Sequence, residues 1–168
     1  MFRFLTLCRS LRASIRYAPN GSGGWTPSTV ATSGLAYPRS VAVDGAGHVY
    51  VADTNNHTIR GISPSGNVLT LAGTAGSVGS TDGIGSAARF TYPYGVATDS
   101  FGTVYVADTF NHMIRRIAQN GTVSTMGGVA GTRGTTDGGV GTSRFAYPTG
   151  IAVDTQGFVY VADSQNST

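Results

Sequence analysis

Short apolar runs alternate with polar, glycine-bearing breaks along most of the chain. Between positions 40 and 72 the runs are SVAVD (40–44), HVYVAD (48–53), HTIRGI (57–62) and NVLTLA (67–72), separated by GAG, TNN and SPSG. Runs of this length, rich in Val, Ile, Thr and Tyr and bounded by Gly, Pro, Asn and Ser, are strands with tight turns between them. Four strands joined by short turns predict an antiparallel meander. HVYVAD is apolar on both faces, which predicts a strand covered from both sides by other sheets. A Gly-rich stretch, residues 73–90, closes the unit.

The unit then recurs. Tyr37-Pro38, Tyr92-Pro93 and Tyr147-Pro148 are spaced by 55, and so are Asp44, Asp99 and Asp154, and Asp53, Asp108 and Asp163. Asp82 and Asp137, His57 and His112, Arg60 and Arg115 keep the same register. Four-stranded units that repeat and are apolar on both faces predict propeller blades stacked face to face. The expected organisation is an unassigned segment at 1–12, the last two strands of a preceding blade at 13–36, complete blades at 37–91 and 92–146, and the first two strands of another blade at 147–168.

The words YPRSVAVDGAGHVYVADTNNHTIRGISPSGNVLTLAG, YPYGVATDSFGTVYVADTFNHMIRRIAQNGTVSTMGG and YPTGIAVDTQGFVYVADSQN resemble the NHL-repeat family of β-propellers. The resemblance covers about Tyr37 to Asn166. It implies an all-β fold of four-stranded antiparallel blades, an incomplete propeller that is a fragment of a six-bladed ring. It also implies a platform for binding protein, RNA or other ligands, although some relatives of the wider six-bladed group are enzymes. Three blade-equivalents are too few for closure, since propellers use roughly four to eight. The expectation is a piece of a longer reading frame. The rival is self-association, two chains each supplying the half-blade the other lacks.

Charge changes the picture only at the start. The chain carries 11 Arg and no Lys, 8 Asp and no Glu. Arg3, Arg9, Arg12 and Arg16 fall in the first sixteen residues; beyond them seven Arg face eight Asp, a net charge of −1. The repeat body therefore has no electrostatic footprint for a phosphate backbone, and no nucleic-acid partner is expected. No run reaches the ~18 apolar residues of a membrane span. Residues 1–12 are broken by Arg and lack a secretory apolar core. Their acid-free, Arg- and Ser-bearing character suits a transit peptide, but blade-like sequence follows at once, which favours a start inside a longer gene. The abundance of Thr, Ser and Gly leans towards an extracytoplasmic protein. The single Cys8 forms no internal disulfide.

Asp53, Asn55, Asn56 and His57 lie close enough in sequence to hold a metal or move a proton. The same group returns at Asp108 and His112, and its Asp again at Asp163. A reaction centre needs one constellation in one place, so repetition predicts scaffold: side chains that bind turn backbone. Asp44, Asp99 and Asp154 precede Gly-containing turns and are expected to cap them. Asp82-Gly83 and Asp137-Gly138 read as turn formers. Arg60 and Arg115 are expected to form ion pairs with the Asp of their own hairpins. No metal, cofactor or catalytic residue is predicted; there is no G-x-S-x-G elbow, P-loop or dinucleotide fingerprint.

Binding residues are expected where units differ. After Tyr-Pro the chain has Arg39, Tyr94 and Thr149; the second turn has Phe110 where its neighbour has Asn55; the long loop has Arg133 in place of Val78. Aromatic rings and planar guanidinium groups are the usual anchors of interfaces. Antiparallel order puts the second turns and the long loops on one face. The predicted function is a non-enzymatic interaction scaffold acting through that face on a protein or carbohydrate. The alternative is part of a lactonase- or lyase-like propeller enzyme whose metal ligands lie partly in other blades.

Overall fold

The structure is a computed structural model that describes residues 4–8, 13–31 and 34–166. Arg3, Arg9 and Arg12 of the basic N-terminal stretch lie outside the described residues. Fourteen strands form: β1 (Phe4–Cys8), β2 (Ala13–Pro19), β3 (Trp25–Ala31), β4 (Ser40–Val43), β5 (Val49–Asp53), β6 (Thr58–Ile62), β7 (Val68–Ala72), β8 (Gly83–Ile84), β9 (Gly95–Thr98), β10 (Val104–Asp108), β11 (Met113–Ile117), β12 (Thr122–Gly128), β13 (Pro148–Val153) and β14 (Val159–Asp163). They make four antiparallel sheets, ordered β1-β2-β3, β4-β5-β6-β7, β8-β12-β11-β10-β9 and β13-β14. The first strands β4, β9 and β13 run beside one another, so successive sheets fan from a shared inner edge. Among the described residues the fan is open, with no strand joining the first sheet to the last.

Burial explains the spelling of the second strands. Val51, Ala52 and Asp53 of β5 and Val106, Ala107 and Asp108 of β10 are fully shielded from water. The main core sits between the two middle sheets, where Ala52, Ile59 and Ala72 meet Val96, Val104, Val106, Ile117 and Val123. Ala88 and Phe90, from the long loop, plug the same core. Burying a Val, Ile or Phe side chain contributes about 1.5–3 kcal/mol each. A smaller cluster of Leu35, Val49, Val51 and Ile62 lies on the other face of the β4–β7 sheet. The inner edge is tight: a Cβ added at Gly95 would stand 2.4 Å from the Thr149 carbonyl oxygen, so no larger residue fits there without the strands moving apart.

Two elements carry no repeat spelling. FLTLC pairs with β2 as β1, in the register that a blade's second strand keeps with its third. Cys8 lies opposite Ala13 as Asp53 lies opposite Thr58, and the bulge at Ser14/Ile15 matches the one at Ile59/Arg60. In this sheet Cys8 stands at the Asp position and Ile15 at the Arg position. The second such element is β8, inside the 73–90 connection. It adds a fifth strand to the next sheet, with Thr122 opposite Ile84.

Candidate functional site

The TNN and TFN segments each form a single 3₁₀ turn that ends on a histidine in the left-handed region, His57 with φ 56° and His112 with φ 58°. Such backbone is uncommon outside Gly and is tolerated here because side chains fix it. The Asp53 Oδ1 accepts the Ala36 amide at 2.6 Å, Asp108 accepts Thr91 at 2.8 Å and Asp163 accepts Ala146 at 2.7 Å. Their other oxygens accept Asn56, Asn111 and Asn166 side-chain amides. Thr54 and Thr109 hydroxyls reach the carbonyls of Pro93 and Pro148 in the next sheet, both at 2.7 Å. The Nδ1 of His57 accepts the Tyr92 amide at 3.1 Å, and that of His112 accepts the Tyr147 amide at 3.2 Å. The repeated residues thus tie the turn of one sheet to the Tyr-Pro start of the next.

These bonds set the electrostatics. Burial pushes the imidazole pKa of His57 and His112 below the ordinary 6.5; at His112 the Arg133 charge adds to this and Asp163 opposes it. An Nδ1 that accepts a backbone amide leaves the proton on Nε2. Burial pushes Asp108 up, to about 6, against the opposing pull of Asn111, the Thr91 amide and Arg115. Asp53 is also raised by burial. Arg115 joins Asp108 at 3.0 Å and Asp82 at 2.6 Å and also donates to the Arg89 and Thr81 carbonyls. Asp82 therefore does more than form a turn: it also accepts the Thr125 amide and hydroxyl across the sheet junction. Arg60 meets Asp53 at 3.3 Å and the Gly34 carbonyl at 2.8 Å.

On the opposite face Asp44 Oδ1 accepts the amides of Ala46 and His48, and Asp99 and Asp154 repeat the pattern. Burial alone would raise these carboxyls. The backbone bonds and the hydroxyls of Tyr50, Tyr105 and Tyr160 hold them below the ordinary value instead. A pocket of about 350 Å³ opens beside Asp44, His48 and Tyr50. Among the described residues no three His, Cys, Asp or Glu side chains gather as a metal group.

Arg39, Tyr94, Phe110 and Arg133, which differ between units, lie on the turn face. The long loops reach that face, where the Gly76 and Gly131 amides bond to Asn56 and Asn111 carbonyls. The Arg39 guanidinium lies 4.0 Å from the Tyr94 ring centroid. Tyr94 meets Phe110 at 5.9 Å, Phe110 meets Tyr92 at 5.1 Å and Tyr147 at 5.4 Å, and Arg133 caps Tyr147 at 5.4 Å. Arg39, Tyr94, Phe110 and Arg133 therefore share one ladder of rings and guanidinium groups that crosses two sheet junctions. Thr149 stands apart from the ring contacts, its hydroxyl bonded to that of Ser164. Tyr92 and Tyr147 complete the ladder and were missed, because the Tyr-Pro repeat marks them as scaffold. Their left-handed backbone, φ 47° and 55°, is what turns the rings towards Phe110.

Residues 35–62 and 145–168 match a family model described as NHL repeat. Over 147 residues the chain is 30% identical to NHL repeat-containing protein 2 of Homo sapiens, covering 80% of this chain and 20% of that protein. The chain thus spans about a fifth of that relative's length. Its fold is similar to an auxiliary nutrient binding protein from Bacteroides ovatus, with TM-score 0.77, 20% identity, and 96% of this chain and 43% of that one covered. It is also similar to virginiamycin B lyase from Staphylococcus aureus, with TM-score 0.59, 14% identity, and 92% and 43% covered.

Proposed function

This chain belongs to the NHL-repeat family of β-propeller proteins, and from that premise we propose that it acts as a non-enzymatic binding module whose ligand sits on the turn face. The observation that carries the reading is the ladder Arg39–Tyr94–Phe110–Tyr147–Arg133. Phe110 is 42% exposed and Tyr92 37% exposed, so both rings offer surface to a ligand. Partly exposed aromatics flanked by planar cations are what an interface core and rim require. The rings meet at 55° to 84°, a corrugated surface suited to side chains of a protein segment. Arg39 and Arg133 at the two ends favour a segment with acidic residues. A protein partner is therefore preferred over a carbohydrate.

The enzymatic alternative, a lactonase- or lyase-like propeller, has fold likeness alone behind it. Selection of phage-displayed peptides on the purified chain tests the binding reading. Peptides enriched on the wild type are expected to lose at least about tenfold in affinity for Tyr94→Ala/Phe110→Ala, with the unfolding midpoint nearly unchanged. Equal binding by both proteins would refute the assignment.

A further inference from the structure

The pocket of about 350 Å³ beside Asp44 lies on the face opposite the ladder, where the β4–β7 sheet meets the sheet that holds β9 to β12. Its floor is apolar, made by Leu71 and Val104 at the edge of the main core. Phe101, 77% exposed, lines its side. Among the described residues no arginine lines it, and its charge comes from Asp44, whose side chain is 8% exposed. Burial alone would raise that carboxyl; the bonds from His48 and Tyr50 hold it below the ordinary value, so it is ionised at neutral pH. The side chains around it have donors already engaged. His48 Nδ1 stands 3.0 Å from Asp44 Oδ2, and the Tyr50 hydroxyl donates to the same oxygen at 3.1 Å. An ionised carboxylate only accepts, so the neutral imidazole carries its proton on Nδ1 and leaves Nε2 as an acceptor. The Tyr50 oxygen keeps an acceptor lone pair. The Gln119 amide nitrogen donates to the Phe101 carbonyl, which leaves Oε1 to accept. The fold does not require this set. Asp99 makes the same turn with Thr103 where Asp44 has His48. Phe101 and Gln119 correspond to Ala46 and Pro64 in the preceding unit.

We propose that this pocket binds a small organic cation, a primary amine on an aromatic or alkyl tail. A negative charge ringed by acceptors and resting on an apolar floor is the complement of such a molecule. The ammonium would donate to His48 Nε2, the Tyr50 oxygen and Gln119 Oε1, with the Asp44 charge behind them. That charge is shielded from bulk water on most sides, so it acts on a bound cation more strongly than an exposed one would. The tail would cover Leu71 and Val104, and the Phe101 ring offers a face to the cation. A quaternary ammonium has no N–H to give and would leave the acceptors unmet. An anion would meet Asp44 with no cationic side chain to offset it. The volume is within the usual range for small-molecule pockets.

Titration of the whole nitrogen-15-labelled chain with phenethylamine, followed by amide NMR, tests this. Saturable shifts are expected at Ala46, His48, Gly102 and Gln119. Phenylethanol, the same shape without the charge, should bind roughly tenfold more weakly, and phenylacetate should not saturate. His48→Thr, which takes the residue of the next unit's turn, should weaken phenethylamine by roughly tenfold while the rest of the spectrum stays in place. Phe101→Ala, at an exposed ring that the core does not need, should weaken it by about threefold or more. Tyr94→Ala/Phe110→Ala should bind the amine as the wild type does, which separates this site from the ladder. No saturable shift, shifts confined to the turn face, phenylacetate binding as well as the amine, or indifference to both His48→Thr and Phe101→Ala would overturn the assignment.

Discussion

Asp108 and Arg115 are both shut away from water and joined at 3.0 Å. Breaking such a pair is costly because it leaves one charge buried alone. Arg115→Met keeps most of the volume and removes the charge, so a loss of about 3–5 kcal/mol is expected in urea unfolding at pH 7. Asp82→Asn should cost under about 1 kcal/mol, because that carboxylate is half exposed. The sign of the pH effect follows from Asp108, whose folded pKa is raised above 3.8, to about 6. A raised carboxyl destabilises the fold when ionised, and the cost fades as pH falls from about 6 towards 3.8. The deficit of Arg115→Met should therefore narrow between pH 7 and pH 5. A deficit that widens, or one as small as that of Asp82→Asn, would contradict the buried pairing. At this scale the sequence was readable where a residue's role is local: the Asp44, Asp99 and Asp154 turns follow from Asp before a Gly turn. Asp82 was not readable, because its partners Arg115 and Thr125 are 33 and 43 residues away.

Strands with a period and a spelling were legible; strands defined by a neighbour were not. VYVAD announces itself through apolar residues on both faces, and the family resemblance carries the four-strand blade. FLTLC has no repeat spelling and becomes β1 by pairing with β2, and β8 is two residues in a Gly-rich connection that matter only through β12. Between sheets, the joints made by His57 and His112 bring a pH dependence of their own. Both imidazoles have folded pKa values lowered from 6.5, so the unfolded chain binds more protons. Their contribution is complete above about pH 7 and is lost as pH falls through 6.5. Part of each histidine's contribution should therefore disappear between pH 7.5 and 6. His57→Asn/His112→Asn, with a residue that accepts left-handed backbone, should be less stable at pH 7.5 but flatter across that window. Parallel pH slopes for the variant and the wild type would show that these joints do not carry the effect.

Across the whole molecule, repeated Asp, Asn, Thr and His residues fasten adjacent sheets, while Arg39, Tyr94, Phe110 and Arg133, which vary, meet in one ladder on the turn face. The variable ladder was half legible: difference between units picked out Arg39, Tyr94, Phe110 and Arg133, while Tyr92 and Tyr147 serve both roles and were hidden by their constancy. The division rests on the histidines being fasteners, with Nδ1 held by the next sheet's tyrosine amide, rather than reactive groups. Nitrogen-15 NMR of His57 and His112 across a pH titration tests that claim most directly. A single tautomer with the proton on Nε2, and titration midpoints below 6.5, is the expected result. Mixed tautomers, or midpoints at or above 6.5, would mean that the imidazoles are free of the neighbouring sheet and would contradict the account.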